Sequence, residues 1–295
     1  MTASAERRQE THVDIKASDI KELREKTGAG MMDCKKALTE ANGEFAGAEK
    51  ILREWGMAGV EKRAGRATNE GRVFIKETQG KIALVEIVCE TDFVCRNADF
   101  IAVGQKAAET AFAKGYDKPA PELEEMVKDI AAKIKENMAL KRVRLVTAGK
   151  DEYVHPYVHG EGSLAVVVKF RADKPGAFAN DKVKAFVHDV ALHIAAFNPM
   201  FLDETKPSPA WIEEQKEIFA KQIELDEKMK GKPEKVIQGA AAGKLKKLLA
   251  ETCLLNQGFV KEEKTPVGQA MAAVAKEAGA KLEIVDYVYI KIGEA

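Results

Sequence analysis

The sequence predicts a mixed α+β protein, and three observations carry this prediction. Residues 14–66 show helical apolar spacing interrupted by glycines, and two later stretches each combine a strand-like segment with an alanine-rich helix. A long pair of helices then follows on either side of Gly-Lys-Pro at 231–233. Hydrophobic residues make up 45% of the chain and charged residues 32%, which is typical of a globular protein and too apolar for a disordered one.

Residues 14–66 are predicted to form a small domain of three helices, after a segment, residues 1–13, that we expect to be a flexible extension. Ser18 is the expected N-cap of the first helix, and Gly28 is its expected C-terminal stop. The third helix has one apolar face and is expected to end at Gly56. That face consists of Ala48, Ile51, Leu52 and Trp55.

The second helix, expected over residues 31–41, begins with two adjacent methionines, Met31 and Met32, directly after a glycine turn. Methionines in such a position usually belong to the core. Their flexible and polarizable thioethers also suit an adaptable contact surface on the outside of a domain. Both interpretations stay open from the residues alone.

A first α+β unit is predicted over residues 67–146. Alternating apolar residues around Gln79-Gly80 predict a β-hairpin. Helices are then expected over 98–112 and 121–138, and a strand over 140–146 closes the unit.

The loop between the hairpin and the next helix reads Glu-Thr-Asp-Phe-Val-Cys-Arg-Asn, residues 90–97. In one interpretation Asp92 or Asn97 caps the following helix, while Phe93 packs into the core. In the other, Phe93 is an exposed aromatic side chain beside a carboxylate, which is the composition expected of a protein–protein anchor. The residues alone do not choose between them.

A second unit repeats the order of the first, with a strand over 163–170 and a helix over 181–197. We therefore predict a core of two similar α+β subdomains. The second subdomain begins with residues 147–206 and is completed by residues 258–295, whose final strand is expected to return to the same sheet.

Residues 207–257 are predicted to form an antiparallel helical hairpin, inserted within this second subdomain. Apolar residues over about 210–230 follow near-heptad spacing, and Gly231-Lys232-Pro233 is expected to reverse the chain. The return helix has its own apolar positions, namely Ile237, Ala241, Leu245, Leu248 and Leu249.

The charges are balanced, with 47 Lys plus Arg against 47 Asp plus Glu. Binding along a nucleic-acid backbone needs a basic excess or a basic face, so no direct nucleic-acid partner is expected. No segment approaches the ~18 consecutive apolar residues of a membrane span, and the N-terminus lacks the apolar region of a secretion signal. We therefore expect a cytoplasmic protein with no membrane partner.

Residues that could carry enzyme chemistry do not form a recognisable site. His155 and His159 flank a proline and lack a nearby carboxylate or thiolate, and the segment 239–245 departs from a phosphate-binding loop. The cysteines match no zinc spacing; we expect reduced core thiols, with a regulatory or intermolecular disulfide as the alternative. They are Cys34, Cys89, Cys95 and Cys253. No metal, no cofactor and no enzyme activity are predicted.

Three motifs give the sequence a family resemblance. They are KELREKTGAGMMDCKKAL at 21–38, ETDFVCRN at 90–97 and YVHG at 157–160. In this order they resemble the bacterial translation elongation factor Ts family, and the similarity of layout extends over nearly the whole chain. The resemblance implies an N-terminal domain like ubiquitin-associated domains, a two-part α+β core and a helical hairpin that serves for dimerisation.

The resemblance also implies a function. Members of the family are guanine-nucleotide exchange factors that bind elongation factor Tu with GDP, dislodge Mg²⁺ and promote GDP release so that GTP can rebind. A rival hypothesis is an adaptor that uses the three-helix domain to bind protein partners. The helical hairpin could form a homodimer or only contact the GTPase, and the sequence does not choose between these two roles.

The site residues follow from the same resemblance, position by position. The element that dislodges Mg²⁺ from the partner would consist of Thr91, Asp92, Phe93 and Val94. The apolar anchors of the N-terminal domain would be Leu23, Met31 and Met32, and His159 would make a second contact from the core.

Overall fold

The computed structural model describes residues 14–78, 80–227, 229 and 232–294, so the predicted flexible extension 1–13 lies outside the described residues. Within these residues the chain forms ten α-helices and eight β-strands, which confirms the mixed α+β class. None of the helices in this part of the chain combines the length and the apolar character needed to cross a bilayer.

The N-terminal helices are α1 (Ala17–Thr27), α2 (Met31–Glu40) and α3 (Phe45–Arg63). Gly28 ends α1 with a left-handed φ of 70°, as predicted. The prediction for Ser18 is wrong, because Lys16 is the N-cap and Ser18 lies inside the first turn. The small core shared by the three helices consists of Leu23, Cys34, Ala37, Leu38 and Ala48.

Helix α3 does not end at Gly56 but continues to Arg63. Gly56 faces a helix of the core, where a Cβ added to it would lie 2.9 Å from the Cβ of Ala132. This glycine therefore permits close packing of two helices instead of ending one. The predicted apolar face of α3 is confirmed, since Ala48 is buried and the other three residues of the face pack against the same small core.

The first α+β unit contains three strands and three helices. These are β1 (Glu70–Thr78), β2 (Lys81–Cys89), α4 (Asp92–Cys95), α5 (Ala98–Lys114), α6 (Pro121–Ile134) and β3 (Met138–Thr147). The strands form an antiparallel sheet in the order β1-β2-β3. The hairpin turns at Gly80, with a φ of 86°, as predicted, while Gln79 lies outside the described residues. The prediction that a helix extends to residue 138 is wrong, because Lys135 adopts a left-handed φ of 66° and ends α6.

The second unit contains the remaining elements. These are β4 (Glu152–His159), β5 (Leu164–Ala172), α7 (Asp181–Phe197), α8 (Pro209–Glu224), α9 (Glu234–Thr252), β6 (Gly258–Phe259), β7 (Glu262–Pro266), α10 (Val267–Ala278) and β8 (Leu282–Lys291). The main sheet has the order β4-β5-β8, so the final strand returns to this sheet as predicted. The pattern of the sequence did not predict β4, which contains Pro156 and lies at the sheet edge, where a missing N–H is tolerated. Helix α8 ends at Glu224, earlier than the expected residue 230.

The two sheets pack face to face and form the centre of the molecule. Val73, Ile82 and Leu84 of the first sheet contact residues of the second, and Arg142 of β3 adds a polar link to the end of β8. The residues contributed by the second sheet are Val154, Ala165, Val167 and Ile290. The outer faces are covered by α5 and α6 on one side and by α7 and α10 on the other. The loop after β2 is thereby left at the surface of the first unit.

Candidate functional site

The loop after β2 contains a single helical turn, α4, before the long helix α5. Asn97 is the N-cap of α5, because its side-chain oxygen accepts the N–H groups of Asp99 at 2.9 Å and Phe100 at 3.2 Å. Of the two predicted caps, Asn97 is therefore the correct one. Asp92 is the first residue of α4, and its carboxylate stays exposed.

The short helix exposes one apolar side chain to solvent and buries the next two in the core. Val94 and Cys95 are 3% and 9% exposed and belong to the core of the first unit, whereas Phe93 is 78% exposed. The interpretation of Phe93 as a core residue is thus wrong. Val94 lacks the exposed surface for a direct contact, so of the two it is Phe93 that can reach a partner.

Asp92 lies beside the exposed ring with a neighbour of opposite charge. Its Oδ2 atom is 3.8 Å from Nη2 of Arg96, and both side chains are more than half exposed. An ion pair of this kind contributes little to stability, so the carboxylate can exchange this partner for another at small cost.

Thr91 precedes α4 and is held by a residue from a distant part of the sequence. Its N–H donates to Oε2 of Glu136 at 3.1 Å, and its hydroxyl donates to Oε1 of the same carboxylate at 2.8 Å. Glu136 lies between α6 and β3, 45 residues away. No local spacing in the sequence pointed to this contact, because it depends on how two elements meet in space.

Two thiols lie directly under the loop. The sulfur atoms of Cys89 and Cys95 are 3.6 Å apart, and Cys95 also contacts the carbonyl oxygen of Gly71 at 3.3 Å. Burial raises the pKa of both thiols, and so they stay protonated near neutral pH. All four cysteines are free and buried, which agrees with the expectation of reduced core thiols.

The N-terminal helices present a second exposed apolar surface. Met31 and Met32, at the start of α2, are 59% and 77% exposed, so the interpretation of these methionines as core residues is wrong. Leu23 is fully buried in the core of the three helices. A direct partner contact by Leu23 is inconsistent with this burial, and Leu23 instead supports the surface from within.

His159 ends the edge strand β4 and is exposed. Its Nδ1 atom lies 3.1 Å from the hydroxyl of Tyr157, and the intervening Val158 is also exposed. The site residues thus fall into three surface regions: the loop of residues 91–94, the start of α2 and the end of β4.

None of these regions has the arrangement of a metal or acid–base site. Within the described residues, no group of three or more His, Cys, Asp or Glu side chains is placed to hold a metal ion. What the regions offer is exposed apolar surface, which suits recognition of a protein surface.

The comparisons with known proteins agree on one family. The family model described as "Elongation factor TS" matches residues 90–294. The elongation factor Ts of Treponema denticola is 47% identical over 282 residues, which cover 95% of this chain and 99% of that protein. Those of Borrelia hermsii and Treponema pallidum are 40% and 39% identical, again over 95% of this chain and over 100% and 99% of theirs. The chain therefore belongs to the elongation factor Ts family.

Proposed function

We propose that this chain is a guanine-nucleotide exchange factor that binds elongation factor Tu with GDP, dislodges Mg²⁺ and promotes GDP release so that GTP can rebind. The observation that carries the proposal is Phe93, a phenylalanine that is 78% exposed beside two buried neighbours. Membership of the elongation factor Ts family supports the same activity. The protein would act in the cytoplasm, in the elongation phase of translation.

Nucleotide exchange of this kind depends on differential binding. The factor has to bind the nucleotide-free GTPase more tightly than the GDP form, since a ligand with equal affinity for two states shifts no population. By reciprocity, nucleotide binding then weakens binding of the factor, which lets the factor leave and act again. The contacts that matter are those that form only when the GTPase is distorted.

Phe93 supplies such a contact in the mechanism that we propose. Its ring enters an apolar pocket between helices of the GTPase and shifts the region that binds Mg²⁺. Asp92 contacts the displaced elements without ligating the metal, while Thr91 and Val94 hold the short helix in place. Loss of the metal and of the phosphate contacts follows from this shift, so the chain needs no catalytic acid or base and is not an enzyme of covalent chemistry.

The other exposed regions supply affinity. Met31 and Met32 would pack against a helix of the GTPase, because their flexible thioethers adapt to a partner surface. His159 would make a second contact from the end of β4. Several contacts on one molecule raise the effective concentration of each, so the loop of residues 91–94 is kept near its target.

We also propose the domain organisation that goes with this function. Residues 14–66 form a domain like ubiquitin-associated domains, residues 67–146 the first subdomain, and residues 147–206 with 258–295 a related second one. In support, each subdomain contributes a three-stranded antiparallel sheet. The inserted hairpin, residues 207–257, would mediate homodimerisation.

The decisive measurement is release of fluorescent GDP from elongation factor Tu. Wild-type protein should accelerate release strongly, and Phe93→Ala should lower the acceleration at least about thirtyfold, because truncating an aromatic anchor typically costs ~2 kcal/mol or more. Phe197→Ala is the matched control, since this phenylalanine is half-exposed but lies at the end of α7. Failure of the folded wild-type protein to accelerate release would rule out the proposal.

The exposed methionines also favour a second candidate, an adaptor that uses the three-helix domain to bind other protein partners. A double variant, Met31→Ser with Met32→Ser, distinguishes the two. The exchange factor predicts slower GDP release by this variant, whereas the adaptor predicts unchanged release. The adaptor also gives no role to the exposed Phe93.

A further inference from the structure

The segment between α6 and β3, residues 135–137, lies against the base of the loop that carries Phe93. Glu136 in this segment accepts both hydrogen bonds that Thr91 can donate, from its N–H at 3.1 Å and from its hydroxyl at 2.8 Å. Two bonds to one carboxylate define the orientation of Thr91 more strictly than one bond could. Thr91 is the residue before α4, so its orientation sets the direction in which the short helix starts.

Asn137 holds the residue before Thr91. Its N–H donates to Oε1 of Glu90 at 2.5 Å, and this bond is the largest cause of the lowered pKa of Glu90. The side-chain amide of Asn137, which is buried, donates to the carbonyl oxygens of Ala64 at 3.3 Å and Arg66 at 2.7 Å. Asn137 therefore joins the base of the loop to the chain that leaves α3.

The far side of the short helix is held by packing. Val94 and Cys95 are buried in the core of the first unit, and Asn97 caps the helix that follows. Residues 90–97 are thus restrained at both ends, while the ring of Phe93 projects outward between the restraints. A side chain on backbone held in this way loses little conformational freedom when it enters a partner.

We propose that Glu136 is a positioning residue for Phe93: its carboxylate orients Thr91 and α4 so that the exposed ring is aimed at the partner before binding. This inference rests on the proposed exchange function. Glu136 itself is half-buried behind the loop and is not assigned a contact with the partner. Its effect on exchange should therefore act through Phe93 and require the ring to be present.

A double-mutant cycle tests this dependence in the GDP-release assay. Glu136→Ala should reduce the acceleration on the order of tenfold in the wild-type background, because binding must then order the loop. When Phe93→Ala is already present, Glu136→Ala should reduce the acceleration of GDP release less than about twofold. Glu136→Gln, which keeps one acceptor oxygen, should recover part of the loss. Glu124→Ala, at an exposed glutamate of α6, is the matched control and should match the wild-type protein.

Amide hydrogen exchange gives a readout that does not depend on the partner. In the loop, the N–H of Thr91 donates to Glu136, and those of Arg96 and Asn97 donate to the carbonyl oxygens of Phe93 and Val94. Glu136→Ala should speed exchange of these three amides at least about tenfold, while the amides of α7 stay unchanged. Unchanged protection of the amides of Thr91, Arg96 and Asn97 would overturn the positioning role, and so would an equal loss of exchange activity in both backgrounds. Wild-type protein that fails to accelerate GDP release would instead overturn the proposed function, so the two failures are distinguishable.

Discussion

At the scale of single residues, function depends on which of two neighbouring side chains is exposed to solvent and which is buried. Phe93 is largely exposed, although burying a phenylalanine typically stabilises a protein by about 1.5–3 kcal/mol. The isolated molecule forgoes this stabilisation at Phe93 and obtains it at the adjacent Val94. Such an arrangement favours a role for the ring in binding a partner.

His193 shows how the fold neutralises a buried titratable group. It is fully buried, and its Nδ1 atom accepts the N–H of Val260 at 3.2 Å. Since a backbone N–H can only donate, Nδ1 carries no proton, and Nε2–H donates to Oε1 of Gln257 at 3.0 Å. Both ring nitrogens are satisfied in the neutral form. Burial lowers the pKa of His193 accordingly.

The lowered pKa of His193 predicts a pH dependence of stability. Below about pH 6.5 the unfolded chain binds a proton at this histidine that the native chain does not bind, so the free energy of unfolding should fall as pH drops from 7 to 5.5. His155, whose pKa is lowered by burial and by His188, adds to the same trend. Carboxylates with a lowered pKa, such as Glu152, stabilise the native protein in their charged form. They are protonated only at more acidic pH, so they do not contribute to the change between pH 7 and 5.5.

Urea unfolding at pH 7 and 5.5 measures this slope. His193→Gln should flatten it, whatever its effect on the stability at pH 7. Met200→Gln, at an exposed residue that does not titrate, is the control and should keep the wild-type slope. An unchanged slope in His193→Gln would contradict the assignment of a neutral, buried imidazole.

At the scale of elements, the position where a helix ends depends on the contacts that its residues make with other elements. The sequence pattern predicted a helix stop at Gly56, yet α3 continues through it, and the absence of a Cβ there lets Ala132 approach closely. Lys135 looked like a helix residue, yet its left-handed φ ends α6 and directs the next two residues to the base of the loop of residues 90–97. In both cases the decisive neighbour is distant in the sequence.

The hairpin of α8 and α9 leaves apolar side chains exposed at an element that is expected to dimerise. Leu225 and Val236 are 82% and 47% exposed, and α9 has no buried residue in its described length. Leu225→Ser combined with Val236→Ser should therefore raise the Kd of the homodimer at least about tenfold, because dimerisation would then remove less apolar surface from water.

Sedimentation equilibrium over a range of concentrations measures this Kd. Met200→Ser is the control, since Met200 is 61% exposed but lies outside the hairpin, residues 207–257. A wild-type protein that stays monomeric, or a double variant that dimerises as well as the wild type, would argue against the hairpin as the interface.

At the scale of the whole molecule, the packing of the first sheet against the second depends partly on one buried ion pair. Glu86 of β2 is fully buried, and Arg142 of β3 donates to it through Nε and, at 3.2 Å, through Nη2. The same guanidinium donates to the carbonyl oxygens of Lys291 at 3.2 Å and Glu294 at 3.3 Å. Arg142 thus links the first sheet to the end of the last strand of the second.

Removing this arginine should be costly. Arg142→Leu leaves the carboxylate of Glu86 buried without its partner, and we expect a loss of about 3–5 kcal/mol in the free energy of unfolding. The double variant Glu86→Leu with Arg142→Leu should lose clearly less, because no unpaired charge remains. Denaturant unfolding of both variants checks this; equal losses in the two would contradict the explanation.

Much of the fold was accessible from the sequence, since it depends on local patterns. Apolar periodicity predicted the three N-terminal helices, the hairpin of β1 and β2, and the return of the final strand. The motif around Phe93 marked the candidate site. Strand β4 escaped prediction because its proline is acceptable only at a sheet edge, and an edge exists only after the sheet has formed.

The sequence by itself determined the α+β class, the family and the candidate residues, because these follow from spacing and motif, which are properties of neighbouring residues. The tertiary structure alone decided which candidates are available. It buries Leu23 and Val94, exposes Phe93, Met31 and Met32, and brings Glu136 to Thr91 across 45 residues. The physical reason is that burial and hydrogen bonding depend on which elements pack together, and no local pattern contains that information.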